Sequence, residues 1–179
     1  MTRMTPEPAV TPEPAVIPEA AGTAEPVAAG PAGNAVPSGP PWTLAAIDQA
    51  LHASWAADTC SPDDVERAPW QPDNPAWGHC DITALVVNDL FGGDLIVGEV
   101  HDGAERAGHH WWNLLPSGLE LDLTREQFRR GQSVGAARTV RRPPGPLPRR
   151  GAEYALLRKR LTEHLGPLPE PADGTPPHP

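Results

Sequence analysis

Apolar side chains recur at helical spacing in three segments of the chain, residues 44–55, 80–91 and 150–165. Thr43 precedes the first segment and Gly92 follows the second, and these residue types are favoured at the start and the end of a helix. We therefore expect three amphipathic helices. Their apolar faces comprise Leu44, Ile47, Leu51 and Trp55 in the first, Ile82, Leu85, Val86 and Leu90 in the second, and Tyr154, Leu157, Leu161 and Leu165 in the third.

Shorter apolar runs predict three β-strands between the second and third helices. Residues 95–100 are an apolar run bounded by turn residues, residues 109–115 follow a polar connection, and residues 119–124 alternate apolar and polar positions. Pro116-Ser117-Gly118 predicts a tight turn between the last two strands. The elements together predict an α+β fold, in which N-terminal helices pack on a small antiparallel sheet and the C-terminal helix covers it.

The predicted hairpin places one acidic residue near one histidine. If residues 113–115 pair with residues 119–121, Asp122 lies nearly opposite Trp112 and within a diagonal step of His110. At that separation a carboxylate can orient an imidazole ring.

Three other segments lack a clear period. Residues 56–77 are rich in proline and predict a long irregular loop that leads to Cys80. Residues 124–128 predict a short helical turn, because Thr124 and Gln127 have the spacing of a capping box. Residues 131–148 are basic and interrupted by prolines, which predicts a surface connection.

Proline is concentrated near the two ends of the chain. Of its 25 prolines, ten lie in residues 1–41 and six lie from residue 167 onward. Segments of this composition bury too little apolar surface to offset the entropy of ordering. We expect a disordered arm rich in proline, alanine and glutamate over residues 1–41, a single α+β domain over residues 42–165, and a disordered tail over residues 166–179.

The first residues and the cysteine content indicate a cellular compartment. Met1 is followed by prolines and glutamates instead of an apolar run, so we expect no secretory leader, no membrane span and a cytoplasmic location. The chain has two cysteines, Cys60 and Cys80, which disfavours a disulfide framework.

Acidic and basic residues are segregated along the sequence. Residues 42–124 hold 14 acidic and two basic side chains, whereas residues 125–160 hold 11 basic and two acidic ones. We interpret the basic third as folding back over the acidic body. The alternative is a surface for RNA, which is disfavoured because Phe128 and Tyr154 are the aromatic residues among these arginines. We expect neither a nucleic acid nor a membrane as partner.

The most distinctive pattern is a cysteine at a helix start followed by a histidine and an aspartate on neighbouring strands. A helix N-terminus lowers the pKa of a thiol and favours the nucleophilic thiolate, so we expect an activated Cys80. His110 would act as base and Asp122 would orient it, whereas His109 points to the opposite face of the strand. Taken one at a time, these residues also fit a buried cysteine, a half-buried histidine and an exposed strand aspartate.

No metal or cofactor is expected from the motifs. The cysteines and histidines show neither Cys-x-x-Cys nor His-x-x-x-His spacing, which disfavours zinc. Gly92 and Gly93 follow a predicted helix instead of preceding one, so they do not form a loop that cradles phosphate.

Four segments resemble the bacterial YunG-like proteins: residues 74–80, 83–87, 110–113 and 122–128. The order of the cysteine, histidine and aspartate also resembles the core of papain-like and transglutaminase-like cysteine hydrolases. These resemblances imply a papain-like/transglutaminase-like fold with Cys80 as nucleophile, His110 as base and then acid, and Asp122 as the residue that orients it.

The resemblance also suggests which residues surround the nucleophile. The YunG-like pattern has a glutamine before the cysteine, where this chain has His79. The backbone N–H of Cys80 is expected to stabilise an oxyanion, and Asn74 and His79 are further candidates. Trp77 and Trp112 are expected to form walls of the cleft.

Two functions follow from this reading. The first is a cysteine-dependent hydrolase or acyltransferase that acts on a peptide, an amide or a thioester through Cys80, His110 and Asp122. The alternative is a non-catalytic binding module on a papain-like scaffold, which holds a protein partner. Reactivity of the Cys80 thiol distinguishes the two.

Overall fold

The structure is a computed structural model that describes residues 41–142, 147 and 149–171. The arm expected over residues 1–41 lies outside the described residues except for residue 41, and so does the expected tail beyond residue 171. The domain expected over residues 42–165 is described apart from residues 143–146 and 148.

The described residues form an α+β structure of helices and an antiparallel sheet, as the sequence predicts. Its helices are α1 (Leu44–Ser54), α2 (Pro62–Arg67), α3 (Cys80–Phe91) and α4 (Gly151–Leu165), and its strands are β1 (Asp94–Asp102), β2 (Glu105–Leu114), β3 (Glu120–Leu121) and β4 (Gln132–Val140). A 3-10 turn over Arg125–Gln127 follows β3. In this part of the chain, no helix has both the length and the apolar character needed to cross a membrane.

The four strands are ordered β3-β2-β1-β4, and each neighbouring pair is antiparallel. Two sequence expectations are wrong here. The polar connection expected before residue 109 instead extends β1 and β2 to a tight turn, in which Gly103 has a φ of +60°. The surface connection expected over residues 131–148 contains β4, which pairs with β1. Most side chains of β4 are exposed, so its sequence carries no alternation to reveal a strand.

The register of the β2–β3 hairpin is the one that the sequence predicts. Asn113 pairs with Leu121 and Leu114 pairs with Glu120. The tight turn at residues 116–118 is also present, because the N–H of Leu115 donates to the carbonyl oxygen of Leu119 over 2.9 Å. The strand itself is shorter than the predicted residues 119–124. Asp122 directly follows the strand, and its carboxylate accepts a hydrogen bond from the backbone N–H of Thr124 over 3.1 Å.

Helix α1 follows its predicted pattern closely. The hydroxyl of Thr43 accepts a hydrogen bond from the N–H of Ala46 over 3.1 Å and so caps the helix. Ile47 and Leu51 are fully buried, but Leu44, also expected on the apolar face, is 47% exposed. The irregular loop expected over residues 56–77 contains the short helix α2, for which six residues beginning with proline give too little periodicity to detect.

Helix α4 packs on α1 and α3, whereas the sequence analysis placed it on the sheet. Helix α3 packs against β2 and β1 on its other side. It is buried along nearly its whole length, because it lies between the sheet and α4. The core between these layers includes Ile47, Leu51, Ile82, Val86, Leu157 and Leu161.

The basic third of the chain folds back over the acidic body, as the charge pattern indicates. At the end of α3, the buried carboxylate of Asp89 binds the guanidinium groups of Arg142 and Arg158 and the hydroxyl of Tyr154. Further ion pairs join Arg149 to Asp63, Arg150 to Asp81 and Arg160 to Asp58. The Asp89 cluster fixes the C-terminal end of α3 to α4.

We expect the Asp89→Ala variant to be strongly destabilised, because it leaves two arginines partly buried without their carboxylate. Loss of one partner of a buried ion pair costs about 3–5 kcal/mol in the free energy of unfolding. The matched control is Asp58→Ala, which removes the exposed partner of Arg160 and should cost less than about 1 kcal/mol. Urea denaturation of both variants measures the difference, and equal losses would contradict the structural role given to Asp89.

Candidate active site

Cys80 is the first residue of α3, as the sequence predicts, and its side chain is almost fully buried. The chain enters this helix through Gly78, whose φ is +72°. A Cβ atom at Gly78 would lie 2.5 Å from the sulfur of Cys60 and 3.1 Å from the backbone nitrogen of Ser61. Glycine is therefore needed at this position both for the backbone conformation and for the close approach of the neighbouring loop.

Arg150 fixes the segment that leads into α3. Its guanidinium donates to the carbonyl oxygen of Thr59 over 2.9 Å and to that of Gly78 over 3.3 Å. It also lies 3.3 Å from the carboxylate of Asp81, on the first turn of the helix. The position of Cys80 thus depends on Arg150, which is distant in sequence and which no local sequence pattern indicates.

His110 and Asp122 form a hydrogen-bonded pair. The Nε2 atom of His110 lies 2.8 Å from Oδ2 of Asp122, and the other carboxylate oxygen accepts from the backbone N–H of Thr124. The imidazole ring is 1% exposed. It stacks on Trp112 with 5.5 Å between ring centroids and meets Phe128 edge-on at 4.7 Å. These contacts fix the orientation of the ring.

The second ring nitrogen of His110 binds Gln127. The Nδ1 atom lies 2.7 Å from the side-chain nitrogen of Gln127. Since a carboxylate can only accept, the bond to Asp122 assigns the proton to Nε2, and Nδ1 then accepts from the amide of Gln127. The capping box expected from Thr124 and Gln127 is wrong, because the Thr124 hydroxyl instead donates to Asp122 over 3.2 Å.

Cys80, His110 and Gln127 border the same cavity, which we call the Cys80 cleft. Its volume is about 180 Å³. Within the described residues, no hydrogen bond joins the sulfur of Cys80 to His110, although both reach the cleft. The remaining wall residues are Asp64, Arg67, Trp77, Val100, Ala107, Gly108, His109, Phe128 and Gln132.

The thiol of Cys80 is not the thiolate that its place at a helix start led us to expect. Burial raises the pKa of Cys80 to about 12, and the nearby carboxylate of Asp81 adds to the effect. Removing a thiolate from water outweighs the attraction of the helix N-terminus in this position. Burial also raises the pKa of the other cysteine, Cys60, to about 11. Both thiols are therefore protonated at neutral pH.

The residues expected around the nucleophile take different positions. Trp77 borders the Cys80 cleft, and Trp112 borders an adjoining depression that also contains Asp122. Asn74 and His79, expected to help hold an oxyanion, do not line the cleft. The amide nitrogen of Asn74 donates to the carbonyl oxygen of Gln127 over 3.1 Å, which ties the loop before Cys80 to the 3-10 turn.

His79 is buried beneath the loop that precedes α3. Its Nε2 lies 2.9 Å from the hydroxyl of Thr59, and its ring packs 5.8 Å from that of Trp55. Burial lowers the pKa of His79 to about 4, so the ring is neutral at physiological pH. A neutral histidine held in this way supports the fold of the loop and does not reach the cleft.

His109 differs from its neighbour His110, as the alternation along a strand predicts. It is exposed, and its Nε2 lies 2.8 Å from a guanidinium nitrogen of Arg106. Although His109 borders the outer part of the Cys80 cleft, its ring nitrogen bonds away from Asp122 and Gln127. His110, and not His109, is thus the histidine whose two ring nitrogens bind Asp122 and Gln127.

The pH dependence of Cys80 alkylation tests its protonation state. With a pKa of about 12, the thiolate fraction should rise about tenfold for each pH unit without levelling off between about pH 7 and pH 10. Mass spectrometry of iodoacetamide adducts measures the rate, with Cys60→Ser used to isolate the signal of Cys80. A plateau below about pH 9 would show that the resting thiol is already activated.

Comparison with known proteins agrees with the resemblance seen in the sequence. The family described as YunG protein matches residues 43–166, which is more than half of the chain. The chain is also 27% identical, over 123 residues, to a Bacillus subtilis (strain 168) protein named "Uncharacterized protein YunG", covering 67% of this chain and 92% of that protein. No solved structure shows a significant match. The chain belongs to the YunG family.

Proposed function

We propose that this protein is a cysteine-dependent hydrolase or acyltransferase that acts on an amide or a thioester. The observation that carries the proposal is the His110–Asp122 hydrogen bond of 2.8 Å, made by a histidine that borders the same cleft as Cys80. A nucleophile, a base and a residue that orients the base are the parts that covalent acyl transfer requires.

The first half of the reaction forms an acyl-enzyme. The sulfur of Cys80 attacks the substrate carbonyl and passes its proton to Nδ1 of His110, while the carbonyl electrons move to the oxygen. The tetrahedral intermediate then collapses as the bond to the leaving nitrogen or sulfur breaks, and that atom takes the proton from Nδ1. Asp122 stays ionised and stabilises the imidazolium that forms between these steps.

The second half releases the acyl group. Water, or an amine in the transferase reaction, gives a proton to Nδ1 of His110 and attacks the thioester carbonyl. The carbon–sulfur bond breaks, and the sulfur of Cys80 regains its proton from His110. The start of α3 supports both halves, because the backbone N–H of Cys80 belongs to a first helical turn that has no intrahelical acceptors and can donate to the oxyanion.

The elevated pKa of Cys80 is compatible with this chemistry when the proton leaves during attack. Base-assisted attack requires a nearby imidazole that can take the proton, not a thiolate that exists beforehand. The hydrogen bond between Gln127 and Nδ1 of His110 must break when substrate enters. The single lone pair of Nδ1 cannot accept both the amide N–H of Gln127 and the proton of Cys80.

The size of the Cys80 cleft restricts the substrate. A cavity of about 180 Å³ is smaller than the roughly 300–1,000 Å³ that encloses a drug-sized ligand. We therefore expect a narrow group, such as a side chain or a chain end that carries an amide or a thioester.

The papain-like/transglutaminase-like identity of the core is part of the proposal. It is supported by the chain order of Cys80, His110 and Asp122 and by their places in the fold: the start of α3, strand β2, and the residue directly after the adjacent antiparallel strand β3. Since one fold hosts many functions, this likeness raises the expectation of acyl transfer without assigning a substrate.

A non-catalytic binding module is the second candidate. It is favoured by the buried, protonated thiol and by the absence of a hydrogen bond between Cys80 and His110 within the described residues. In that case the cleft would bind a partner's side chain and Cys80 would act as a small apolar wall residue.

Acylation by a small acetyl thioester tests the proposed function. The full chain is incubated with the thioester, and intact-mass spectrometry with peptide mapping follows the acetyl group on Cys80. We expect acetylation of Cys80 to fall at least about a hundredfold in His110→Ala, since the variant loses the general base. Asp122→Asn should also reduce the rate, because the ring loses the carboxylate that orients it.

His101→Ala is the matched control, because it removes a partly exposed histidine of the same sheet that does not line the Cys80 cleft. Cys60→Ser controls for reaction at the second thiol. Both should acetylate at the wild-type rate. A rate at Cys80 that is the same in His110→Ala and in the wild type, or no acetylation of Cys80 at all, would reject the hydrolase and favour the binding module.

A further inference from the structure

The Cys80 cleft contains a carboxamide that belongs to the protein itself. The side chain of Gln127 is 7% exposed, and its nitrogen lies 2.7 Å from the only ring nitrogen of His110 that Asp122 does not occupy. We propose that the site is built for a primary carboxamide substrate and that Gln127 occupies the place of that substrate in the resting protein. This inference rests on the proposed function and names its substrate class.

The position of the Gln127 nitrogen corresponds to that of a leaving group. When an amide is cleaved, its nitrogen must lie within hydrogen-bond distance of the atom that gives it a proton, and here that atom is Nδ1 of His110. For a primary carboxamide, the carbon–nitrogen bond breaks, the nitrogen takes the proton from Nδ1 and ammonia leaves. Water then releases the acyl group from Cys80 as a carboxylic acid.

The hydrogen bond to Gln127 also keeps the resting site un-ionised. An amide N–H can donate only to an unprotonated Nδ1. A protonated Nδ1 is itself a donor, and two donors that face each other repel. With the amide nitrogen of Gln127 bound to Nδ1, that ring nitrogen has no free lone pair to take the proton of Cys80.

Two side-chain contacts hold the 3-10 turn that carries Gln127. The backbone carbonyl of Gln127 accepts from Asn74 over 3.1 Å, and the preceding residue, Glu126, pairs with His52 over 2.7 Å. The side chains of Glu126 and His52 are 46% and 36% exposed. An exposed pair of this kind contributes little to stability, so the short 3-10 turn is not strongly fixed to α1.

The experiment compares Gln127→Ala with Gln49→Ala. Gln49 is a suitable control, because it is an exposed glutamine on α1 that does not line the cleft. Iodoacetamide alkylation of Cys80 is followed by mass spectrometry with and without propionamide, a primary carboxamide, or propionate, a carboxylate of similar size. Gln127→Ser is measured in parallel, and thermal unfolding and Cys60 alkylation confirm that each variant is folded.

We expect Cys80 to react at least about tenfold faster in Gln127→Ala and Gln127→Ser, the factor for loss of about one hydrogen bond. Gln49→Ala should keep the wild-type rate. In Gln127→Ala, propionamide should protect Cys80 and propionate should not. The faster reaction should be lost when His110→Ala is added, because the freed Nδ1 is what assists the thiol.

The other outcomes separate this inference from the proposed function. Wild-type reactivity in both Gln127 variants would overturn the inference, yet acetylation that depends on His110 would still support the hydrolase. Equal protection by propionamide and propionate, or none by either, would reject the carboxamide as substrate class. Faster alkylation that persists without His110 would mean that Gln127 merely covers the thiol, which would contradict both proposals.

Discussion

The site depends on the pairing register of one hairpin. Because Asn113 pairs with Leu121, Asp122 lies nearly opposite Trp112 and within a diagonal step of His110, and its carboxylate accepts from Nε2 of His110 over 2.8 Å. Shifting this register by one residue would turn Asp122 to the other face of the sheet and leave the buried imidazole without its acceptor. The hydrogen bond between Nε2 and Asp122 leaves Nδ1 as the nitrogen that can accept a proton. Every chemical role proposed for His110 follows from this bond.

Two effects compete at Cys80, and burial prevails. A helix N-terminus favours an anion by at most about 2 kcal/mol even in partly buried positions, whereas full burial shifts a pKa by up to about 3–5 units. The cysteine at the start of α3 is consequently a protonated thiol, and the burial that protonates it also places it against the core. In the proposed reaction, activation therefore comes from His110 during attack, after Gln127 has released Nδ1.

The sequence predicts the elements that depend on periodicity or on short turns. It identifies α1, α3, α4, the β2–β3 register and the His110–Asp122 pair, because local patterns encode each of them. It misses β4, whose mostly exposed residues do not alternate. It also misses Gln127 and Arg150, because their roles depend on tertiary contacts, and a glutamine three residues after a threonine looks like part of a helix cap. The prediction of a lowered pKa for Cys80 is wrong for the same reason. The burial of this thiol depends on tertiary packing, which the sequence around Cys80 does not reveal.

The tautomer of His110 is the most direct test of this account. Nitrogen-15 NMR of the imidazole ring in the full chain, assigned by comparison with His110→Ala, reports which ring nitrogen carries the proton. The hydrogen bonds to Asp122 and Gln127 predict a proton on Nε2 and none on Nδ1, and they predict that the Nδ1 resonance moves in Gln127→Ala but not in Gln49→Ala. A proton on Nδ1, either alone or in an imidazolium paired with a Cys80 thiolate, would contradict this account.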